Sequence, residues 1–223
     1  MGELKHLGVI ADGNRRWAKE QGLPSIEGHR AGLKAIETMV EAAAKAGISY
    51  ITFYVFSTEN WGRSEKEVSY IMKLAETKLL NYAEKLAKNN AKMVILGSKN
   101  RVSPKLASMI ERAEKVTEDC TGITVGFCFN YGGEVEIADA ATIAASEGDI
   151  TPETIRKHLY HPEIPDVDMV VRTSGEERIS GFMLWRASYA EFMFVKKYFP
   201  EMTGDDIDDI MKEYESRSRR FGK

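Results

Sequence analysis

The sequence predicts an α/β protein: a six-stranded, mainly parallel sheet flanked by helices. Three observations predict it. Six short apolar runs alternate with longer stretches of helical pattern along the 223 residues. The runs are rich in Val, Ile and Phe and nearly free of charge, as strands covered on both faces are. Strand–helix–strand order, repeated, requires parallel crossovers.

The elements follow in order. The run HLGVIA (6–11) stops at Asp12-Gly13-Asn14. A helix over 30–46 ends at Gly47, a residue suited to the left-handed position after a last turn. YITFYVF (50–56) is the second strand. Ser64 and Glu67 form a capping box ahead of a helix over 65–90. MVILG (93–97) follows, and Ser103-Pro104 gives a cap and a first-turn proline for the next helix. ITVGFCF (123–129) is the fourth strand, and Thr151-Pro152 repeats the cap signal. DMVVR (168–172) and FMFV (192–195) supply the last two. No Pro/Gly/Ser-rich linker, charge block or internal repeat interrupts the chain, so one domain over 1–223 is expected.

Composition narrows the function. A net charge of −3 excludes a generally basic, nucleic-acid-coating protein, and no nucleic-acid partner is expected. Any anion site must be a local cluster of arginines. Cys120 and Cys128 fit neither a CxxC redox pair nor a zinc site and read as reduced thiols of a cytoplasmic protein. No run has the length of a membrane span, and the N-terminus lacks the apolar core of a signal peptide.

In parallel sheets ligands bind at the carboxyl ends of strands, and the polar residues of this chain follow the strands. Asp12, Gly13 and Asn14 follow the first. Ser57, Thr58, Glu59, Asn60 and Trp61 follow the second, with Arg63 beyond. Asn130 to Gly133 follow the fourth, and Arg172 to Glu176 the fifth, with Arg178 and Ser180 close behind. Arginines grip phosphate oxygens through paired hydrogen bonds, and glycines let backbone approach an anion. Two arginine groups, Arg15/Arg16/Arg30 and Arg172/Arg178, suggest two phosphate-bearing ligands. A lone carboxylate at the glycine turn suits Mg²⁺ shared with substrate phosphates. Neither a P-loop nor a dinucleotide fingerprint is present. The stripes Leu33/Ile36/Met39/Val40/Ala43 and Val68/Ile71/Met72/Ala75/Leu79/Tyr82/Ala83/Leu86 read as core, or as the wall of a hydrocarbon cleft.

HLGVIADGNRRWAKEQGLPSIEGHRAG, ITFYVFSTENWGRSEKEV, FNYGGEVEIADA and DMVVRTSGEERISGFMLWRASYAEFMF together resemble the blocks of the cis-prenyltransferases, the undecaprenyl diphosphate synthase-like enzymes. The resemblance runs from His6 to about Gly222. It implies a homodimer that condenses isopentenyl diphosphate with an allylic prenyl diphosphate, using Mg²⁺ and forming a Z double bond. A long prenyl product further suggests transient contact with a membrane surface. Residue by residue, it implies that Asp12 and Asn60 are catalytic. Gly13, Asn14, Arg15, Arg16, Trp17, His29, Ser57, Trp61 and Arg63 fall in the allylic-diphosphate set. Packing is the alternative for Trp17, Trp61 and His29, and salt bridging for Arg15. Arg172, Arg178, Ser180, Arg220 and Gly222 fall in the isopentenyl-diphosphate set, the last two through an R-x-G ending that reaches the partner subunit. Asp12 and Glu191 are the implied metal carboxylates. Glu59, Glu176 and Glu177 read as ion-pair partners of arginines, and Glu134 as a surface residue.

The chain departs from the commonest family pattern at Ala11, Ser25, Glu134, Gly181 and Arg186. These bear on substrate preference more than on the class of chemistry, and leave open an enzyme that joins prenyl units in an irregular, non-head-to-tail way. A non-catalytic partner subunit is the alternative from another class. It would be expected to lose the DGN carboxylate, which this chain keeps. Val55, Phe56, Leu79, Met93 and Ile95 are the candidates for lining a product cleft, with Val55 expected to narrow it.

Overall fold

The computed structural model describes residues 3–217. Arg220 and Gly222 lie outside them. The elements are β1 His6–Ile10, α1 Asn14–Glu20, α2 Ser25–Lys45, β2 Tyr50–Ser57, α3 Glu65–Lys88, β3 Lys92–Leu96, α4 Pro104–Val116, β4 Thr124–Tyr131, α5 Gly133–Glu147, α6 Pro152–Lys157, β5 Met169–Arg172, β6 Glu191–Phe194 and α7 Asp205–Ser216. All six expected runs are strands, with bounds within two residues of those read from the sequence. The sheet order is β3-β4-β2-β1-β5-β6, and the pairs β1–β5, β3–β4 and β5–β6 are parallel.

Packing divides the described chain into two units. The first holds 3–53, 166–180 and 186–217; the second holds 54–165 and 181–185. The division falls within β2.

In the first unit β1 is buried along its whole length. Its entry is fixed by Asp168, whose Oδ2 accepts the backbone N–H groups of Lys5 and His6 at 3.0 Å each. Helix α2 begins at Ser25, five residues before the expected start. The reason is packing. Gly28 and Gly32 are not loop glycines but the face that meets α1: a Cβ on Gly28 would lie 2.0 Å from Asn14 O, and one on Gly32 2.5 Å from Asn14 Oδ1. The end of α2 is as expected. Gly47 takes a φ of +82° and Ile48 N donates to Ala43 O, closing the last turn.

In the second unit Ser64 caps α3 and Ser103 caps α4, each hydroxyl accepting from the N–H three residues on. Thr151 does the same for α6, which runs only to Lys157. The buried Glu136, in the first turn of α5, accepts Tyr131 OH at 2.5 Å and Tyr160 N at 3.0 Å.

Candidate active site

The order of the strands creates a switch point. From β1 the chain moves to β2 on one side, while β5 pairs on the other. Ile10 stands level with Arg172, so Asp12 emerges beside the carboxyl end of β5. Such crevices are where open parallel sheets bind ligands.

There, within the first unit, the charged side chains form one connected line. Asp12 Oδ2 accepts Arg172 Nη2 at 2.8 Å, and Asp12 Oδ1 accepts Arg16 Nη2 at 3.1 Å. Arg16 Nη1 reaches Glu176 Oε1 at 2.8 Å, and the other oxygen of Glu176 takes Arg178 Nη1 at 2.5 Å. Arg172 Nη1 donates to Arg178 O at 2.5 Å and to Ser180 Oγ at 2.8 Å. Three guanidinium groups face two carboxylates, leaving one positive charge in excess. Arg16, of one of the two arginine groups that the sequence assigned to separate ligands, therefore shares Asp12 with Arg172 and Glu176 with Arg178, both of the other group.

The glycine turn is built around that carboxylate. Gly13 N donates to Asp12 Oδ1 at 2.7 Å, and Gly13 has a φ of +100°. A side chain there would meet Tyr198 Cδ1 at 2.6 Å and Ser174 Cβ at 2.9 Å. Thr173 Oγ1 accepts Asp12 N at 2.9 Å and donates to Asp12 O at 2.6 Å. Arg16 also donates to the Ser174 hydroxyl and lies over the Tyr198 ring, 5.9 Å from its centroid. The sequence reading left Tyr198 out; it stands far along the chain in a run with no motif. Burial pushes the Asp12 carboxyl up, but the Arg172 hydrogen bond and the charges of Arg16 and Arg172 outweigh it and hold it below the usual carboxylate range. It is ionised at neutral pH.

Other expected residues of this unit fall elsewhere. Arg15 and Arg30 are exposed, and Arg30 pairs with Glu27 at 2.7 Å. Trp17 and His29 are half-buried on α1 and α2. Asn14 donates to Ala11 O at 3.3 Å, and its buried Oδ1 lies against Gly32 without a partner among the described residues. Glu191 stands apart from Asp12 within the chain. The parallel register sets Glu191 level with Met169, and Met169 level with Leu7, at the amino ends of their strands. Asp12 is five residues beyond Leu7, about 16 Å further at about 3.3 Å per residue. The Glu191 carboxylate pairs with Arg217 at 3.8 Å.

Among the described residues no cluster of three or more His, Cys, Asp or Glu side chains is arranged to hold a metal. A divalent ion of the Mg²⁺ kind takes one or two carboxylates and completes its shell with water and substrate phosphates; Asp12, with 29% of its side chain exposed, is the carboxylate that would hold it.

The second unit holds the remaining candidates. Residues Thr58–Gly62 form a 3-10 turn capped by Ser57. Asn60 Oδ1 accepts Ser57 N at 3.1 Å, which orients the carboxamide and leaves its N–H groups, besides the second lone pair of the oxygen, to offer a ligand. Trp61 Nε1 donates to Asn130 Oδ1 at 2.7 Å. Arg63 pairs with Glu67 in the first turn of α3 at 2.9 Å. Of the apolar stripe on α3 only Val68, Ala83 and Leu86 are buried; Ile71, Met72, Ala75 and Leu79 stay half-exposed. Val55 and Ile95 are half-exposed as well, whereas Phe56 and Met93 are at 1% and belong to the core.

The chain is similar to known prenyl transferases. Residues 10–222 match the prenyltransferase family described as "Putative undecaprenyl diphosphate synthase". An isoprenyl transferase of Neisseria meningitidis serogroup B is 43% identical over 98% of this chain and 89% of its own. A ditrans,polycis-undecaprenyl-diphosphate synthase ((2E,6E)-farnesyl-diphosphate specific) of Aliivibrio fischeri is 42% identical over 98% and 88%. Among solved structures, lavandulyl diphosphate synthase from Lavandula x intermedia, in complex with dimethylallyl diphosphate, superposes with a TM-score of 0.93 at 30% identity, covering 98% of each chain. The family match spans almost all of the sequence and includes the shared Asp12 carboxylate with its arginines, so the chain belongs to the undecaprenyl diphosphate synthase family of prenyl transferases.

Proposed function

We propose that residues 1–223 act as one catalytic domain that condenses isopentenyl diphosphate with an allylic prenyl diphosphate, extending a Z-configured chain. The observation that carries this reading is Asp12 held between Arg16 and Arg172 at the β1/β5 switch point. One carboxylate between two guanidinium groups suits two diphosphates bound side by side.

The chemistry follows from charge. As the allylic C–O bond breaks, negative charge grows on the departing diphosphate. Arg16 and the N–H groups of Asn60 are placed in the role of stabilising it, and Arg172, Arg178 and Ser180 in that of holding the second diphosphate. Mg²⁺ at Asp12 would add positive charge to the leaving group. The π-bond of isopentenyl diphosphate forms the new C–C bond to the allylic carbon, and loss of a proton from the adjacent carbon restores the alkene. Asn60 has no basic atom to take that proton; a diphosphate oxygen has. Holding the two reactants in register supplies much of the acceleration. The half-exposed face of α3 supports the prenyl tail.

The same reading takes the working protein to be a cytoplasmic homodimer that touches the membrane surface to release a long product used as a lipid carrier. No helix among the described residues is long and apolar enough to cross a membrane.

Purified protein, Mg²⁺, labelled isopentenyl diphosphate and a series of allylic primers form the test. Butanol-extractable label that disappears with EDTA is expected, and none with any primer overturns the reading. A second reading, irregular coupling, is favoured by the departures from the commonest family pattern at Ala11, Ser25, Glu134, Gly181 and Arg186. It predicts product from an allylic diphosphate supplied alone.

A further inference from the structure

Asn130, next to the last residue of β4, is 2% exposed and takes a φ of +51°. Asparagine tolerates that left-handed conformation better than most residues. Its side chain is used in full. Nδ2 donates to Ser98 O and to Asn100 O, each at 2.7 Å, and Oδ1 accepts the indole N–H of Trp61 at 2.7 Å. The backbone adds a further tie, with Ser98 N donating to Asn130 O at 3.1 Å. The loop after β3 is pressed so close that a Cβ on Gly97 would stand 1.8 Å from Phe129 O. The carboxamide is therefore clamped before it meets Trp61.

Trp61 is in turn fixed on three sides. Asn130 holds its N–H, the Arg101 guanidinium lies 4.4 Å from its ring centroid, and Phe56 packs edge-to-face at 5.4 Å. Trp61 and Asn60 are neighbours in one 3-10 turn, where the Asn60 carboxamide is oriented by Ser57 N. We propose that Asn130 is a positioning residue: acting through the Trp61 indole, it sets the turn that presents the N–H groups of Asn60 to the substrate. This rests on the role given to Asn60 above. A buried asparagine that merely ties two loops together would need only Ser98 and Asn100; the bond to Trp61 extends the clamp to the turn.

Two variants test it. Asn130→Asp keeps the shape but turns an acceptor toward two carbonyls. Trp61→Phe keeps an aromatic ring against Phe56 and removes the indole donor. Each is expected to lower kcat by about 10- to 100-fold, the scale of a small misplacement of a reacting group, with KM for isopentenyl diphosphate nearly unchanged. Each should also speed backbone hydrogen exchange over 57–62. On an Asn60→Ala background, Trp61→Phe should cost nothing further. Normal kcat, unchanged exchange in the turn, or losses that add to that of Asn60→Ala would overturn the proposal. Should Asn130→Asp fail to fold, Trp61→Phe alone decides. Wild-type protein without prenyl transfer would overturn the functional reading instead, while the exchange measurement still judges the coupling.

Discussion

Helices α2 and α3 look alike in sequence and differ in the fold. Both are long, at 21 and 24 residues, and both carry an apolar stripe. In α2 the stripe is buried from its second member on: Leu33 is 38% exposed, but Ile36, Met39, Val40 and Ala43 are buried, as are Gly28, Gly32 and Ala35. In α3 most of it stays half-exposed. The difference separates two uses of an amphipathic helix. The glycines of α2 hold α1 by backbone contact, and with it Asn14 and the turn at Asp12. The face of α3 is only partly covered among the described residues, and under the proposed function it is the face offered to the prenyl tail. One helix secures the charged rim; the other is proposed for the tail.

The largest effect is expected at the rim that α2 secures. Asp12→Asn keeps the shape of the side chain but removes the charge shared by Arg16 and Arg172. Turnover should fall at least about 100-fold, the scale for losing one preorganised electrostatic group, with circular dichroism unchanged. The alanine variant is a poorer test, because Arg172, 5% exposed, would lose its carboxylate and its packing together. Next comes Gly28→Ala, whose methyl group would collide with Asn14 O. Overpacking of this kind costs about 1–3 kcal/mol or more, and activity should fall with stability although Gly28 touches no substrate. A variant as stable and active as the wild type would break the claim that α2 secures the rim.

Matched truncations then compare the two helices directly. Met39→Ala in α2 empties a fully buried site and should cost about 2–5 kcal/mol in urea melts. Leu79→Ala in α3, half-exposed, should cost less than about 1.5 kcal/mol but lengthen the product on chromatography. Val55→Ala should act the same way. Equal destabilisation at Met39 and Leu79, with an unaltered product, would erase the distinction.

The sequence made the strands legible because each is a continuous apolar run, a pattern that burial on both faces requires. The start of α2 was hidden because Gly28 and Gly32 resemble loop residues until their partner α1 is known. The union of Arg16 and Arg172 was hidden for a similar reason: 156 positions separate them, and only the β1–β5 pairing makes Asp12 common to both. A motif gives order along the chain but not register across the sheet, so the level of Glu191, beside Met169, was not legible either. Glu176 was read as a partner of arginines and holds two of them. Glu59, read the same way, takes the Thr58 hydroxyl instead. Asn130 was visible as a polar residue after a strand, but its three partners lie in two loops that no spacing rule connects.

The smallest expected effect tests a rival explanation for α3, that the second unit is loosely packed throughout. His161 lies in this unit between two carboxylates, with Nε2 at 3.0 Å from Glu114 Oε1 and Nδ1 at 2.9 Å from Glu163 Oε1. Burial pushes its pKa down, but the bonds and charges of Glu114 and Glu163 prevail and raise it above 6.5. A raised folded value means that the clamp contributes in full below pH 6.5 and fades as pH climbs through the folded pKa. The melting temperature of the wild type should therefore fall over that interval relative to His161→Gln, by a few degrees at most, since about 1 kcal/mol corresponds to about 2–4 °C in a chain of this length. Such a slope requires a well-ordered cluster in the second unit, and would leave the open face of α3 as a local feature. Parallel curves for the two proteins would mean that the clamp is not formed in solution, and that the exposure of α3 reflects looseness of the whole unit.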